Sequence, residues 1–158
     1  MVVDKSKNSI SVGVHGSDLK VIAHAVKESK SWSIEKAADM MSDILNEEFS
    51  SNRYSLVPIP QHTGFADYTL ALCRRIAERT HAEVLDILRC RPRESFYRAK
   101  KEGRDISCEI GFFTTEGIPE GRTIILVDNV VATGTTANAA RKALGVECML
   151  VTLTNSKI

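Results

Sequence analysis

The sequence predicts an α/β protein with a mostly parallel central sheet and helices on both faces. Two patterns carry that prediction. Short strand-like runs alternate with helix-period segments along the chain, an order that favours right-handed crossovers between parallel strands. One run, Ile124 to Val127, is apolar at every position, as a strand buried on both faces requires. No repeat and no low-complexity segment interrupts the order, and 158 residues suit one domain, 1–158.

The elements follow in sequence. Ile10, Val12 and Val14 alternate with small or polar residues and predict a strand ending at His15 and Gly16. Leu19, Ile22, Ala23 and Val26 then fall on one helical face, with Ser17 as the expected cap. A second helix is expected from Ser33, with Ala37, Met40, Met41, Ile44 and Leu45 on its apolar side and a break at 50–53. Residues 1–53 thus read as a helical lead-in to a core at 54–158. That core opens with a strand at 54–60, stopped by Pro58 and Pro60. A turn at 61–64 precedes a helix from Asp67 to Arg79 that buries Leu70, Leu72, Cys73, Ile76 and Ala77. A strand at 83–88, a polar loop or frayed helix at 89–105 and an extended run from Cys108 to Phe113 come next. The chain closes with a turn at 118–122, a strand at 123–127, a helix at 136–144 and a strand at 147–153.

Composition excludes several function classes. A net charge of +1 gives no general attraction to nucleic acid or to an anionic membrane surface. No run approaches the roughly 18 apolar residues of a membrane span. The first eight residues hold no apolar core for a signal peptide. The cysteines, Cys73, Cys90, Cys108 and Cys148, make no CxxC pair and no zinc-like spacing with histidine, so free thiols in a reducing cytoplasm are expected.

The chemistry concentrates in three segments. The first is IILVDNVVATGTT at 124–136. In open parallel sheets, ligands gather at the carboxyl ends of the strands. Asp128 is expected there, where a carboxylate can accept bonds from two vicinal hydroxyls. Thr133, Gly134, Thr135 and Thr136 then lead into a helix, whose first N–H groups and dipole favour an anion. No Gly-Lys-[Ser/Thr] follows, so this is not a Walker A loop, and no GxGxxG is present. The second segment is VPIPQHTG at 57–64, at another strand end, where backbone amides and His62 are available. The third is basic: Arg89, Arg91, Arg93, Arg98, Lys100, Lys101 and Arg104 fall close together. On its own such a run is a solvated face.

Segment 124–136 resembles the phosphoribosyl-pyrophosphate (PRPP) motif of the type I phosphoribosyltransferases. The Pro-Ile-Pro wording with Gly64 and Phe65 is similar to the competence-protein F (ComF-like) branch, here without its zinc module. The resemblance covers about 56–153, and no base-binding hood is recognisable, so a reduced hood is expected. It implies that Asp128 and Asn129 stand where an acid pair meets the ribose hydroxyls, with an amide in place of the second acid. It implies further that Ala132, Thr133, Gly134, Thr135 and Thr136 wrap the 5′-phosphate, and that Pro60, Gln61 and His62 form the pyrophosphate loop. The basic stretch becomes a closing loop, with Arg89 and Arg91 at the pyrophosphate and Arg98 in a catalytic role. Mg²⁺ is the implied cofactor, with Asp128 a direct or water-mediated ligand. The implied activity is transfer of ribose 5-phosphate from PRPP to a nucleobase-like nucleophile with release of pyrophosphate. The alternative is a catalytically weak PRPP- or nucleotide-binding module for regulation or DNA uptake, and a phosphate-binding α/β domain of another family is a third reading. The partner expected is PRPP or a 5′-phosphorylated ribose, with no membrane and no strong nucleic-acid signal; a homodimer is among the expected states.

Overall fold

The structure, a computed structural model, describes residues 4–6, 8–14, 16–49, 53–106 and 111–156. Its main sheet has six strands: β1 (Asp4–Ser6), β2 (Ser9–Val14), β3 (Tyr54–Pro58), β4 (Glu83–Val84), β7 (Thr123–Val131) and β8 (Met149–Asn155). Their order is β1-β2-β8-β7-β3-β4. Every pairing from β2 to β4 is parallel, and only the edge strand β1 runs antiparallel. The sheet is thus mostly parallel, as expected, and β1 is an element the sequence pattern did not reveal.

Period-two alternation fills both faces of the sheet. Ile125 and Val127 of β7, with Leu56, Val151 and Leu153, pack beneath α1 (Ser17–Lys27), α2 (Ser31–Glu48) and α3 (Tyr68–Arg79). Ile124 and Leu126, with Val57, Ile59 and Leu150, pack against Ala137, Ala140 and Leu144 of α5 (Thr135–Leu144). Helices therefore cover both faces. The stretch ahead of residue 54 is more than a lead-in, because β2 pairs along β8 and α1 and α2 supply half of one core layer.

Several boundaries differ from the expectation. The predicted strand at 83–88 is broken into β4 and β5 (Leu88–Cys90), and β5 pairs antiparallel with β6 (Phe112–Thr114) in a separate two-stranded sheet. Asp86 explains the break: its carboxylate and its carbonyl both accept from the Arg89 guanidinium, which turns the chain. The polar stretch 89–105 contains a short helix, α4 (Phe96–Lys101), capped by the Ser95 hydroxyl accepting the Arg98 N–H. Cys108 lies outside the described residues, as do His15 and 50–52. Helix α1 has Gly16, not Ser17, at its N-cap. β8 runs two residues later than expected. The largest shift is in β7, which continues to Val131 because β8 keeps pairing with it through Asn155. Cys73, Cys90 and Cys148 are buried free thiols.

Candidate functional site

The carboxyl edge of the sheet brings two of the three segments together. β3 and β7 are neighbours in register, with Pro58 opposite Val127, and the Ile59 N–H donates to Val127 O at 3.0 Å. The 59–67 loop therefore leaves β3 at the level of Asp128.

Asp128 sits inside β7 rather than at its end, and is part-buried. β3 has ended at this level, so the Asn129 N–H, which points to that side, has no ladder partner. Asp128 Oδ1 accepts it at 2.7 Å. Burial pushes the Asp128 carboxyl up to about 6, while that hydrogen bond and the positive charge of Lys27 pull the other way. No basic group among the described residues forms an ion pair with it, and Oδ2 makes no hydrogen bond among them. A half-buried carboxylate without a paired cation is costly to keep, and such groups concentrate at ligand sites.

Asn129 is not where the motif comparison puts it. It is fully buried, and its Nδ2 donates to Ala23 O of α1 at 2.8 Å. Oδ1 has no partner among the described residues. The amide is thus built into the scaffold, and the site edge carries one carboxylate instead of an acid pair. Among the described residues no group of three His, Cys, Asp or Glu side chains could hold a metal. This donor set fits Mg²⁺ only in the manner of an ion that keeps its waters and takes most of its oxygens from a phosphorylated substrate, with Asp128 as the single carboxylate.

The turn after β7 has the geometry the sequence suggests. Gly134 is the N-cap of α5 at φ 83°, a left-handed conformation that favours glycine. Ala132, Thr133 and Thr135 are exposed, and Gly134 and Thr136 are partly so. The Thr133 and Thr135 hydroxyls lie 2.9 Å apart, and the Thr135 N–H reaches Thr133 Oγ1 at 3.4 Å. Apart from that contact, the first N–H groups of α5 have no carbonyl within the helix to bond, so they are available to an anion.

The 59–67 loop is preformed by its own bonds. Gln61 donates from Nε2 to Ile59 O at 2.9 Å and to Thr69 Oγ1 at 3.1 Å, and its Oε1 accepts the Asp67 N–H at 2.5 Å. Its side chain is engaged in shaping the loop. Pro60 is buried and offers no N–H, while His62 is exposed. Gly64 is required here: at φ +106° its added Cβ would stand 2.7 Å from Cys90 O. Three bonds tie the loop to the basic stretch: Cys90 N–H to Gly64 O, Cys90 Sγ to Gln61 O and Arg93 N–H to His62 O.

Three cations of the basic stretch face acids. Arg89 is held by Asp86 at 2.9 Å, with its guanidinium 5.1 Å from the Phe65 ring centroid. Arg98 faces Glu94 and Glu102 at 3.7 and 3.8 Å, and Arg104 forks onto Glu94 with two 2.7 Å bonds. In the ligand-free chain Arg89 and Arg98 thus face acids. Arg91 is exposed.

Two residues that sequence reasoning missed stand close to Asp128. Lys27 ends α1, and Tyr68 opens α3 with its hydroxyl pushed up by burial and by the Asp128 charge. The signal for Tyr68 was its place directly after the loop, at the start of a helix. Nothing local in the sequence pointed to Lys27.

No family model matches the chain, and no curated protein does. Among solved structures, a Staphylococcus aureus hypoxanthine phosphoribosyltransferase is 17% identical with a TM-score of 0.49, over 77% of this chain and 62% of that one. A second crystal form of it gives 19% and 0.47. The hypoxanthine phosphoribosyltransferase of Trypanosoma cruzi is 16% identical with a TM-score of 0.40, over 94% of this chain and 69% of that one. The chain thus spans about three-fifths of the length of the S. aureus enzyme. No described helix is long and apolar enough to cross a membrane.

Proposed function

We propose that the carboxyl edge of the sheet binds PRPP or a related 5′-phosphorylated ribose, and that the protein is a phosphoribosyltransferase acting on a nucleobase-like nucleophile. One observation carries this reading: Asp128, an unpaired and half-buried carboxylate, stands six residues before the Gly134 turn that opens α5. A carboxylate for vicinal hydroxyls and an amide nest for a phosphate, on one strand and its following turn, match the two ends of a ribose 5-phosphate.

In that reading the N–H groups and hydroxyls of Thr133, Thr135 and Thr136 hold the 5′-phosphate. Asp128 Oδ2 accepts a ribose hydroxyl and offsets positive charge developing at C1 as pyrophosphate departs. His62, the 59–67 loop and Arg91 are the groups available to the leaving pyrophosphate, and release of Arg98 from its glutamates would add another. Mg²⁺, when bound with substrate, neutralises pyrophosphate charge. The chain's own contribution is to position the sugar, since such transfers need orientation and charge stabilisation more than covalent chemistry.

The buried Asn129 amide favours a second reading, a PRPP-binding module with weak or no turnover, because it leaves a single carboxylate at the edge. Calorimetry of PRPP with and without Mg²⁺, followed by pyrophosphate release against a panel of nucleobases, separates the two. Binding with turnover supports the enzyme, binding without turnover supports the module, and no binding sinks both.

A further inference from the structure

Asn129 uses two donors in two directions. Its side-chain Nδ2 reaches back to Ala23 O in α1 at 2.8 Å, and its main-chain N–H reaches Asp128 Oδ1 at 2.7 Å. The residue is fully buried, so water cannot replace either bond. At this level β7 is paired on one side only, with β8, because the β3 ladder stops at Pro58 opposite Val127. Pairing of Asp128 with Thr152 and of Val130 with Thr154 turns the Asn129 N–H to the open side, where no strand accepts it.

We propose that Asn129 is the positioning residue of the site: its amide clamps β7 to α1 and so steadies its own N–H on Asp128 Oδ1, leaving Oδ2 for the sugar. An ionised aspartate cannot take this place. It has no donor for Ala23 O and would set a second buried charge against a carbonyl. The amide is thus a requirement of this scaffold, in which the Ala23 carbonyl of α1 faces residue 129. This inference rests on the ribose-phosphate reading above.

The test uses the full chain and three ligands: ribose 5-phosphate, 2-deoxyribose 5-phosphate and inorganic phosphate. Asn129→Ala and Asn129→Ser remove the clamp and keep the residue-129 N–H. Both are expected to lower ribose 5-phosphate affinity about tenfold, the worth of one good hydrogen bond, and to erase the preference over the deoxy sugar. Inorganic phosphate affinity stays unchanged, because the 133–136 turn is untouched. The residue-129 amide proton, deshielded by the carboxylate in the wild type, moves upfield. Asn129→Asp weakens binding as well. Unchanged sugar preference with an unchanged amide shift overturns the proposal, as does any gain of affinity in Asn129→Asp. If the wild type binds neither sugar phosphate, the ligand reading fails, and the amide shift alone decides the clamp.

Discussion

Replacing Asp128 with asparagine should stabilise the ligand-free protein at neutral pH while abolishing its proposed use. The folded-state carboxyl titrates at about 6, against 3.8 for the unperturbed group. Asp128 therefore holds its proton more tightly in the folded chain than in the unfolded one. Its contribution to stability is fully present below pH 4 and is lost as pH rises through about 6. Roughly two pKa units correspond to about 3 kcal/mol between those limits. Asparagine keeps the size and can still accept the Asn129 N–H, but it carries no charge into the half-buried position. Urea denaturation of both proteins from pH 4 to 8 reads the effect, and the difference between them isolates this group from all others. The variant is expected to gain on the wild type as pH rises, by about 3 kcal/mol at pH 7, and to lose binding of ribose 5-phosphate. A stability difference that does not change with pH, or a variant less stable than wild type at pH 7, would refute the reasoning. Retaining an acid at such a cost is what a ligand site does.

Other substitutions separate scaffold from site. Gly64→Ala places a Cβ against Cys90 O at a strained φ and should cost about 2–4 kcal/mol, read as a lower denaturation midpoint. Gly134→Ala meets no atom within 4 Å, so only the left-handed backbone is penalised, by about 1–2 kcal/mol; calorimetry should show phosphate-monoester affinity falling by about tenfold or more as the turn shifts. Arg104→Ala removes an exposed ion pair with Glu94 and Glu102. Its melting temperature should match the wild type, with no added sensitivity to salt.

Much of the layout was legible because burial leaves a periodic trace. The run Ile124 to Val127 feeds both core layers in alternation, and the apolar faces of α1 and α2 repeat at helical period. The Thr-Gly-Thr-Thr turn was legible for a related reason, since a left-handed N-cap asks for glycine. What escaped was decided by tertiary contacts. Asn129 reads in sequence as an edge residue beside Asp128, yet its partner is the Ala23 carbonyl more than a hundred residues away. Gln61 looks like a loop amide free for a ligand, yet two bonds inside the loop and one to Thr69 of α3 engage it. The arginines of 89–104 look like a cationic lid, but Asp86, Glu94 and Glu102 pair with Arg89, Arg98 and Arg104, while Arg91 stays exposed. β1 and the division of 83–90 into two strands leave no apolar pattern long enough to read.

The most direct measurement is calorimetric titration of PRPP into the wild type and Asp128→Asn, each with and without Mg²⁺. The account predicts saturable one-site binding to the wild type, strengthened by Mg²⁺, and its loss in the variant while the fold is retained. Equal binding by both proteins, or none by the wild type, would contradict it.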